Sequence, residues 1–170
     1  MADPFSSIPW NTPALWHAAN ASLAISLAGC GAANGAARDH AAQLRHLLEQ
    51  TFPIMENLCR ETCPACTDVC CQRAWVWVDF KDLLFLHLAG IDPPERQLLD
   101  RQGDHCRYAG PKGCRLERIQ RPFVCTWYVC PAQSRILDRQ PTEKNNLARI
   151  LEQIKTRRKR MEASYIQAVS

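Results

Sequence analysis

Eight of the ten cysteines in this 170-residue chain lie between positions 63 and 130, and they constrain the fold more than any other feature. They are Cys63, Cys66, Cys70, Cys71, Cys106, Cys114, Cys125 and Cys130. Free thiols in that number would be prone to oxidation, so we expect them to be paired in disulfides or bound to metal. The choice depends on the redox compartment, because clustered cysteines bind metal more often where thiols stay reduced.

The N-terminal residues help to predict the redox compartment of the protein. Residues 13–28 are fairly apolar and end in Leu27-Ala28-Gly29-Cys30, which resembles the lipid-attachment site of a bacterial lipoprotein. However, residues 1–16 contain no Lys or Arg, whereas a secretory signal carries positive charge before its apolar stretch. We therefore predict a helix that ends at a glycine in a cytoplasmic protein with no membrane segment, and the lipoprotein is the alternative.

The charge and the motifs exclude several function classes. A net charge of +4 and a pI of about 8.6 are well below the values typical of dedicated nucleic-acid binders. We therefore expect a protein partner, whose identity the sequence does not give, rather than nucleic acid. No glycine-rich phosphate loop and no Gly-x-Ser-x-Gly elbow is present. These absences count against two common kinds of enzyme site but not against every kind, so the sequence leaves enzymatic activity open.

Helical periodicity dominates both ends of the chain. Thr12-Pro13 begins a first helix that should end at Gly29, and a glycine- and alanine-rich linker should follow it. A second helical stretch spans Leu44 to Leu58, where Pro53 should break or kink the helix. Beyond Pro141, a long amphipathic helix carries a basic stretch from Lys155 to Arg160.

Shorter elements are predicted between these helices. Residues 74–78 have strand-forming side chains, and Asp79 with Asp82 predicts the capped start of another helix. Asp92-Pro93-Pro94 should begin a short helix ending near Gly103, and residues 105–116 should form a tight hairpin or loop. The predicted fold is mainly α, with an irregular cysteine-rich metal-binding core and little β structure. We divide it into an N-terminal helical extension (1–57), a cysteine-cluster metal-binding domain (58–140) and a C-terminal amphipathic basic helix (141–170).

Eight thiolates make two sets of four, which suits either a tetrahedral zinc site or the ligand set of an iron-sulfur cluster. The Cys63-x-x-Cys66 spacing lets one turn of backbone direct two thiolates at one centre. Cys130-Pro131 resembles the last ligand of bacterial ferredoxins, and the adjacent Cys70 and Cys71 do not suit a single zinc finger. We favour a 4Fe-4S cluster, with zinc as the alternative.

The residues that flank the cysteines have two interpretations each. Trp75, Trp77, Trp127 and Tyr128 either shield a cluster from water or pack in the core. Arg107, Lys112, Arg115, Arg118 and Arg121 either donate hydrogen bonds to sulfur or form a solvated basic face. His105 either replaces a cysteine as a ligand or lies beside the site.

The run Cys63-x-x-Cys66-x-x-x-Cys70-Cys71, followed by Cys106, Gly113-Cys114, Arg121-Pro122-x-x-Cys125 and Cys130, resembles the YkgJ-type cysteine-cluster family. That family is also described as a CxxCxxCC zinc- or iron-chelating domain. The resemblance covers residues 59–131 and implies metal chelation by these cysteines, with the metal open. The sequence has one extra residue before the paired cysteines, so either Cys59 or Cys63 takes the first ligand position.

From these patterns we expect an iron-sulfur protein that acts in electron transfer or as an accessory to a redox or maturation enzyme. The alternative is a zinc-stabilised module whose basic helix, Lys144 to Tyr165, docks a protein or nucleic acid. Metal storage or transfer is a third possibility and would need labile thiols.

Overall fold

The computed structural model describes residues 8–67, 75–98, 106–110 and 113–170. Its helices are α1 (Pro13–Cys30), α2 (Gly35–Thr62), α3 (Phe80–Leu88), α4 (Val124–Trp127), α5 (Pro131–Asp138) and α6 (Pro141–Val169), with 3₁₀ turns at Gly31–Asn34 and Arg118–Gln120. Two short strands, β1 (Ala109–Gly110) and β2 (Gly113–Cys114), form an antiparallel pair. Helix accounts for 70% and strand for 3% of the structure, so the prediction of a mainly α fold is confirmed.

Helix α1 begins as the sequence predicts. The Thr12 hydroxyl accepts a hydrogen bond from the Leu15 N–H at 3.1 Å, and Pro13 occupies the first helical position. The expected linker is wrong, because Gly31–Asn34 forms a 3₁₀ turn that leads directly into α2. In that turn the buried Asn34 amide donates to the Leu27 carbonyl at 3.1 Å, which ties the turn to the end of α1.

Helix α2 is continuous through Pro53, so this proline does not break the helix, and the predicted alternative of a kink stays a prediction. Pro53 lies on the exposed face of the helix, and the buried face on either side of it, including Thr51 and Ile54, packs against the rest of the protein. Tertiary packing of an apolar face can offset the roughly 3 kcal/mol that an internal proline costs a helix.

Helices α2 and α6 run in opposite directions along each other. Near the start of α2, the His40 imidazole is 3.2 Å from the Arg157 guanidinium, which lies late in α6. At the other end, Leu58 of α2 shares a hydrophobic cluster with Leu147, which lies early in α6. The N-terminal and C-terminal segments of the chain therefore pack against each other directly.

The main hydrophobic cluster draws on every predicted segment. It includes Trp16 and Leu44 from the N-terminal helices, Leu83 from α3, Phe123 from the segment before α4, and Ile154 from α6. All five side chains are buried, and such burial is the main favourable term in folding. The proposed boundaries at residues 57 and 140 remain predictions, since one core joins the three segments.

The predicted strand at residues 74–78 is wrong over its described part, because residues 75–79 have no regular secondary structure. Val78 nonetheless has both backbone groups satisfied. Its N–H donates to Gln97 Oε1 at 2.7 Å, and its carbonyl accepts from Gln97 Nε2 at 3.1 Å. A buried side-chain amide thus takes the place of a neighbouring strand.

The helix predicted to begin at Asp92 is also absent from residues 91–98, and the rest of that prediction lies outside the described residues. Here backbone groups bond to distant partners instead of to one another. The Pro94 carbonyl accepts from the Trp16 indole at 2.9 Å, and the Leu98 carbonyl accepts from the Arg107 N–H at 2.7 Å. The hairpin prediction is confirmed, with Ala109 opposite Cys114.

Helix α3 has the predicted cap. The Asp79 carboxylate accepts from the Asp82 N–H at 2.8 Å, and the Asp82 carboxylate accepts from the Asp79 N–H at 3.2 Å. None of the helices in the described ranges is long and apolar enough to cross a membrane.

Candidate metal centre

Six of the eight predicted ligand cysteines lie in the described part of the chain, and they sit at the ends of short elements. Those six are Cys63, which caps the end of α2, Cys66, one turn further on, Cys106 before β1, Cys114 in β2, Cys125 in α4, and Cys130, which caps the start of α5. Cys70, Cys71 and His105 lie outside the described residues. Cys106 is buried, whereas Cys63 and Cys66 are exposed.

A buried glutamine joins two cysteines that are distant in sequence. Gln133 of α5 donates from Nε2 to Cys59 Sγ at 3.6 Å, and its Oε1 accepts from the Cys130 N–H at 3.2 Å. One side chain therefore bonds to the Cys59 sulfur and to the Cys130 backbone, and N–H hydrogen bonds to sulfur are common around thiolate ligands in metal sites.

Other contacts hold the same two segments together. Arg118 Nε lies 3.2 Å from Glu56 Oε1, which links the turn before α4 to the last turns of α2. Val129 packs against the hydrophobic cluster that contains Leu58. The end of α2, which carries Cys59 and Cys63, is therefore adjacent to the segment that carries Cys125 and Cys130.

The remaining described cysteines lie against the main core. Cys106 belongs to the main hydrophobic cluster, and Cys114 and Cys125 pack against it. The short hairpin positions Cys106 and Cys114, because the Arg115 N–H donates to the Tyr108 carbonyl at 2.9 Å and so joins the segments that carry the two cysteines. The β1–β2 hairpin region and α4 thus carry these three sulfurs, and both segments pack against the same hydrophobic cluster.

Within residues 8–67, 75–98, 106–110 and 113–170, no three Cys, His, Asp or Glu side chains are grouped closely enough to hold one metal ion. The described cysteines do not by themselves form a complete metal site. The predicted ligand set remains a prediction, since Cys70 and Cys71 belong to it.

Three of the arginines near the cysteines donate hydrogen bonds to oxygen. Arg121 donates from Nε and Nη2 to the Leu116 carbonyl at 3.0 and 2.9 Å, and Arg118 pairs with Glu56. Arg115 donates to the Arg107 carbonyl. These guanidinium groups brace the loops that carry Cys114 and Cys125, which neither of the two interpretations of the basic residues anticipated.

Three of the four aromatic side chains near the cysteines are exposed. Trp75, Trp127 and Tyr128 each show more than two fifths of their surface, at 42, 45 and 43%. Trp127 and Tyr128 lie edge to face, with ring centroids 6.4 Å apart, between Cys125 and Cys130. The core-packing interpretation is therefore wrong for these three rings.

A buried ion network, which sequence reasoning missed, fixes the segment before Cys125. Arg158 of α6 donates to the carboxylates of Asp79, at 2.9 Å, and Asp82, and its guanidinium lies 4.9 Å from the centre of the Phe123 ring. Asp82 Oδ1 also accepts from the Phe123 N–H at 3.0 Å. One signal was available: Arg158 falls on the apolar stripe of α6 between Ile154 and Met161.

Burial dominates the electrostatics of this network. It raises the pKa of Asp82 to about 6, and the neighbouring Asp79 charge acts in the same direction. Arg158 and the Phe123 N–H lower the pKa and offset part of that shift. Asp82 is consequently ionised and paired with Arg158 at neutral pH. The loss of water around the buried carboxylate offsets part of the free energy that this pair contributes.

Comparison of the chain with protein-family models, with curated proteins and with solved structures found no match.

Proposed function

We propose that this protein is a metal-chelating cysteine-cluster protein that holds an iron-sulfur cluster and acts in electron transfer or as an accessory to a redox or maturation enzyme. The proposed ligands are the eight cysteines from Cys63 to Cys130 given above. One observation carries the proposal. Gln133 links Cys59 at the end of α2 to Cys130 at the start of α5, so two cysteine-bearing segments meet at one end of the molecule.

The surroundings suit a group held at this end. The Gln133 amide donates to the Cys59 sulfur, and N–H hydrogen bonds to sulfur are a common feature of cysteine metal sites. The exposed Trp127 and Tyr128 lie between two proposed ligands, where a partner protein could bury them. A bound cluster would supply one-electron chemistry, while the chain supplies thiolates, hydrogen bonds to sulfur and a docking surface.

Anaerobic purification tests this proposal. The expected product is brown, with broad visible absorbance that is lost on oxidation, and it contains iron and acid-labile sulfide in equal amounts. A colourless protein with stoichiometric zinc would replace the redox role with the zinc-stabilised module. A folded, colourless protein with neither metal would contradict both.

A further inference from the structure

A groove lies between α2 and α6, away from the cysteines. Residues 42–47 of α2 form one wall, residues 149–160 of α6 form the other, and the volume is about 920 Å³. The lining is mostly the aliphatic parts of side chains, including the partly buried Leu47. We call this surface the basic groove, since three arginines of α6 and His46 of α2 lie along it.

The arginines of the basic groove are not neutralised within the described part of the chain. Arg149 donates to the Asn146 side chain at 2.8 Å, and Arg157 bonds to the His40 imidazole at 3.2 Å. Arg160 has no hydrogen bond or ion pair with any described residue. The acidic residue in the lining, Glu152, is 3.4 Å from Lys155.

The positive charges of two of these arginines act on the neighbouring His40 imidazole. The pKa of His40 is lowered by its burial and by the charges of Arg157 and Arg160, against a smaller opposing effect of Asp39. Positive potential is therefore concentrated at this end of the groove. An anionic group placed there would relieve the repulsion between the guanidinium groups.

We propose that the basic groove binds an acidic, amphipathic helical segment of a partner protein. The trough between two antiparallel helices suits a third helix, which would set apolar side chains against Leu47 and carboxylates against Arg149, Arg157 and Arg160. Those arginines span 12 residues of α6, and the first and last are about 16 Å apart along the helix axis, which corresponds to three turns of a docked helix.

A nucleic acid fits this groove less well. The Glu152 carboxylate lies between Arg149 and Arg157, where it would repel an unbroken series of phosphates, whereas a peptide can place a neutral side chain opposite it. A second copy of the chain fits less well too, because each copy carries a net charge of +4. The proposal does not rest on metal binding.

The test uses a fluorescein-labelled helical peptide of about 14 residues, roughly 20 Å long as a helix, built from Glu, Leu and Ala. We expect binding with a Kd of about 1–100 µM to the full chain, and none with a matched peptide in which Lys replaces Glu. Arg160→Glu should weaken binding about tenfold, while Lys159→Glu should change it less than about twofold. Lys159 is the control because it is exposed on the same helix, is not part of the groove lining, and changes the net charge equally.

A second readout locates the bound peptide. The pKa of the His40 imidazole, followed by NMR, should rise on binding, because carboxylates would neutralise Arg157 and Arg160. Equal weakening by both variants would overturn the proposal, since it would show attraction to net charge alone. Absence of peptide binding, tighter binding of a single-stranded oligonucleotide, or an Arg160-dependent dimer would overturn it as well. Metal content plays no part in these measurements, so their failure is distinguishable from failure of the proposed function.

Discussion

Arg158 of α6 and Asp82 of α3 form a buried ion pair across 76 residues of sequence. Asp82 also accepts from the backbone of Phe123, and Phe123 precedes α4, which carries Cys125. The ion pair therefore connects α6 to the start of α4, the helix that carries the proposed ligand Cys125. Breaking this pair should disturb both the contact between α3 and α6 and the position of the start of α4.

We predict that Arg158→Met destabilises the protein by about 3–5 kcal/mol, because it leaves the Asp82 carboxylate buried without its partner. The cation–π contact with Phe123 is lost as well. Urea denaturation at neutral pH measures the change in the free energy of unfolding. Lys159→Met is the control at the adjacent exposed position and should stay within about 0.5 kcal/mol of wild type. Equal stability of the two variants would show that the pair contributes nothing.

The raised pKa of Asp82 predicts a pH dependence of stability. Because the native state holds this proton up to about pH 6 and the unfolded state releases it near pH 4, protonation favours the native state. The contribution of Asp82 is therefore fully present below about pH 4 and is lost as the pH rises through about 6. Relative to Asp82→Asn, the wild-type free energy of unfolding should fall over that interval. A constant difference between the two proteins would contradict the raised pKa.

Gln97 should stabilise the extended segment that replaces the predicted strand. Gln97→Leu removes both partners of the buried Val78 backbone, and each unsatisfied group costs about 1–3 kcal/mol. We expect a loss of about 2–6 kcal/mol in urea denaturation, with Gln167→Leu, at an exposed position of α6, as the near-neutral control. Two equally stable variants would mean that other groups satisfy Val78.

These cases show how far the sequence predicts the structure. Local signals were sufficient for the start of α1 and the capping box of α3, because the residues that cap each helix are within three or four positions of each other. The Val78 and Pro94 segments were predicted wrongly, since their backbone groups bond to Gln97 and Trp16 far along the chain. Propensity carries no information about such partners.

The same distinction applies to the candidate site. Spacing identifies which cysteines to consider, but it gives no hint that Gln133 connects Cys59 to Cys130, 71 residues further along the chain. It also left two interpretations open for the nearby basic residues, hydrogen bonds to sulfur or a solvated basic face, whereas Arg121 bonds to the Leu116 carbonyl. The contact from Gln133 depends on the tertiary packing of α5 against α2, whereas the bond from Arg121 depends on the conformation of residues 116–121.

The hydrogen bond from Gln133 predicts an intermediate role for Cys59. Cys59→Ser should retain metal but with an affinity lowered about 10–100-fold, as expected when a partner outside the ligand set is lost. Cys30→Ser, at the end of α1, should keep wild-type affinity. Competition with a chelator measures both. Complete loss of metal in Cys59→Ser would make Cys59 a ligand in place of Cys63, while wild-type affinity would remove it from the site.

We propose that the cysteines between positions 63 and 130 hold a metal on which the fold depends. Four-thiolate zinc binding contributes about 10–16 kcal/mol in small peptides, comparable with the 5–15 kcal/mol stability of a whole domain. The most direct measurement is metal content together with thermal melting of single-cysteine variants purified anaerobically. Cys66→Ser, Cys71→Ser, Cys114→Ser and Cys125→Ser should each lose metal and the cooperative transition, while Cys30→Ser keeps both. Full metal content and normal melting in all four variants would contradict the claim.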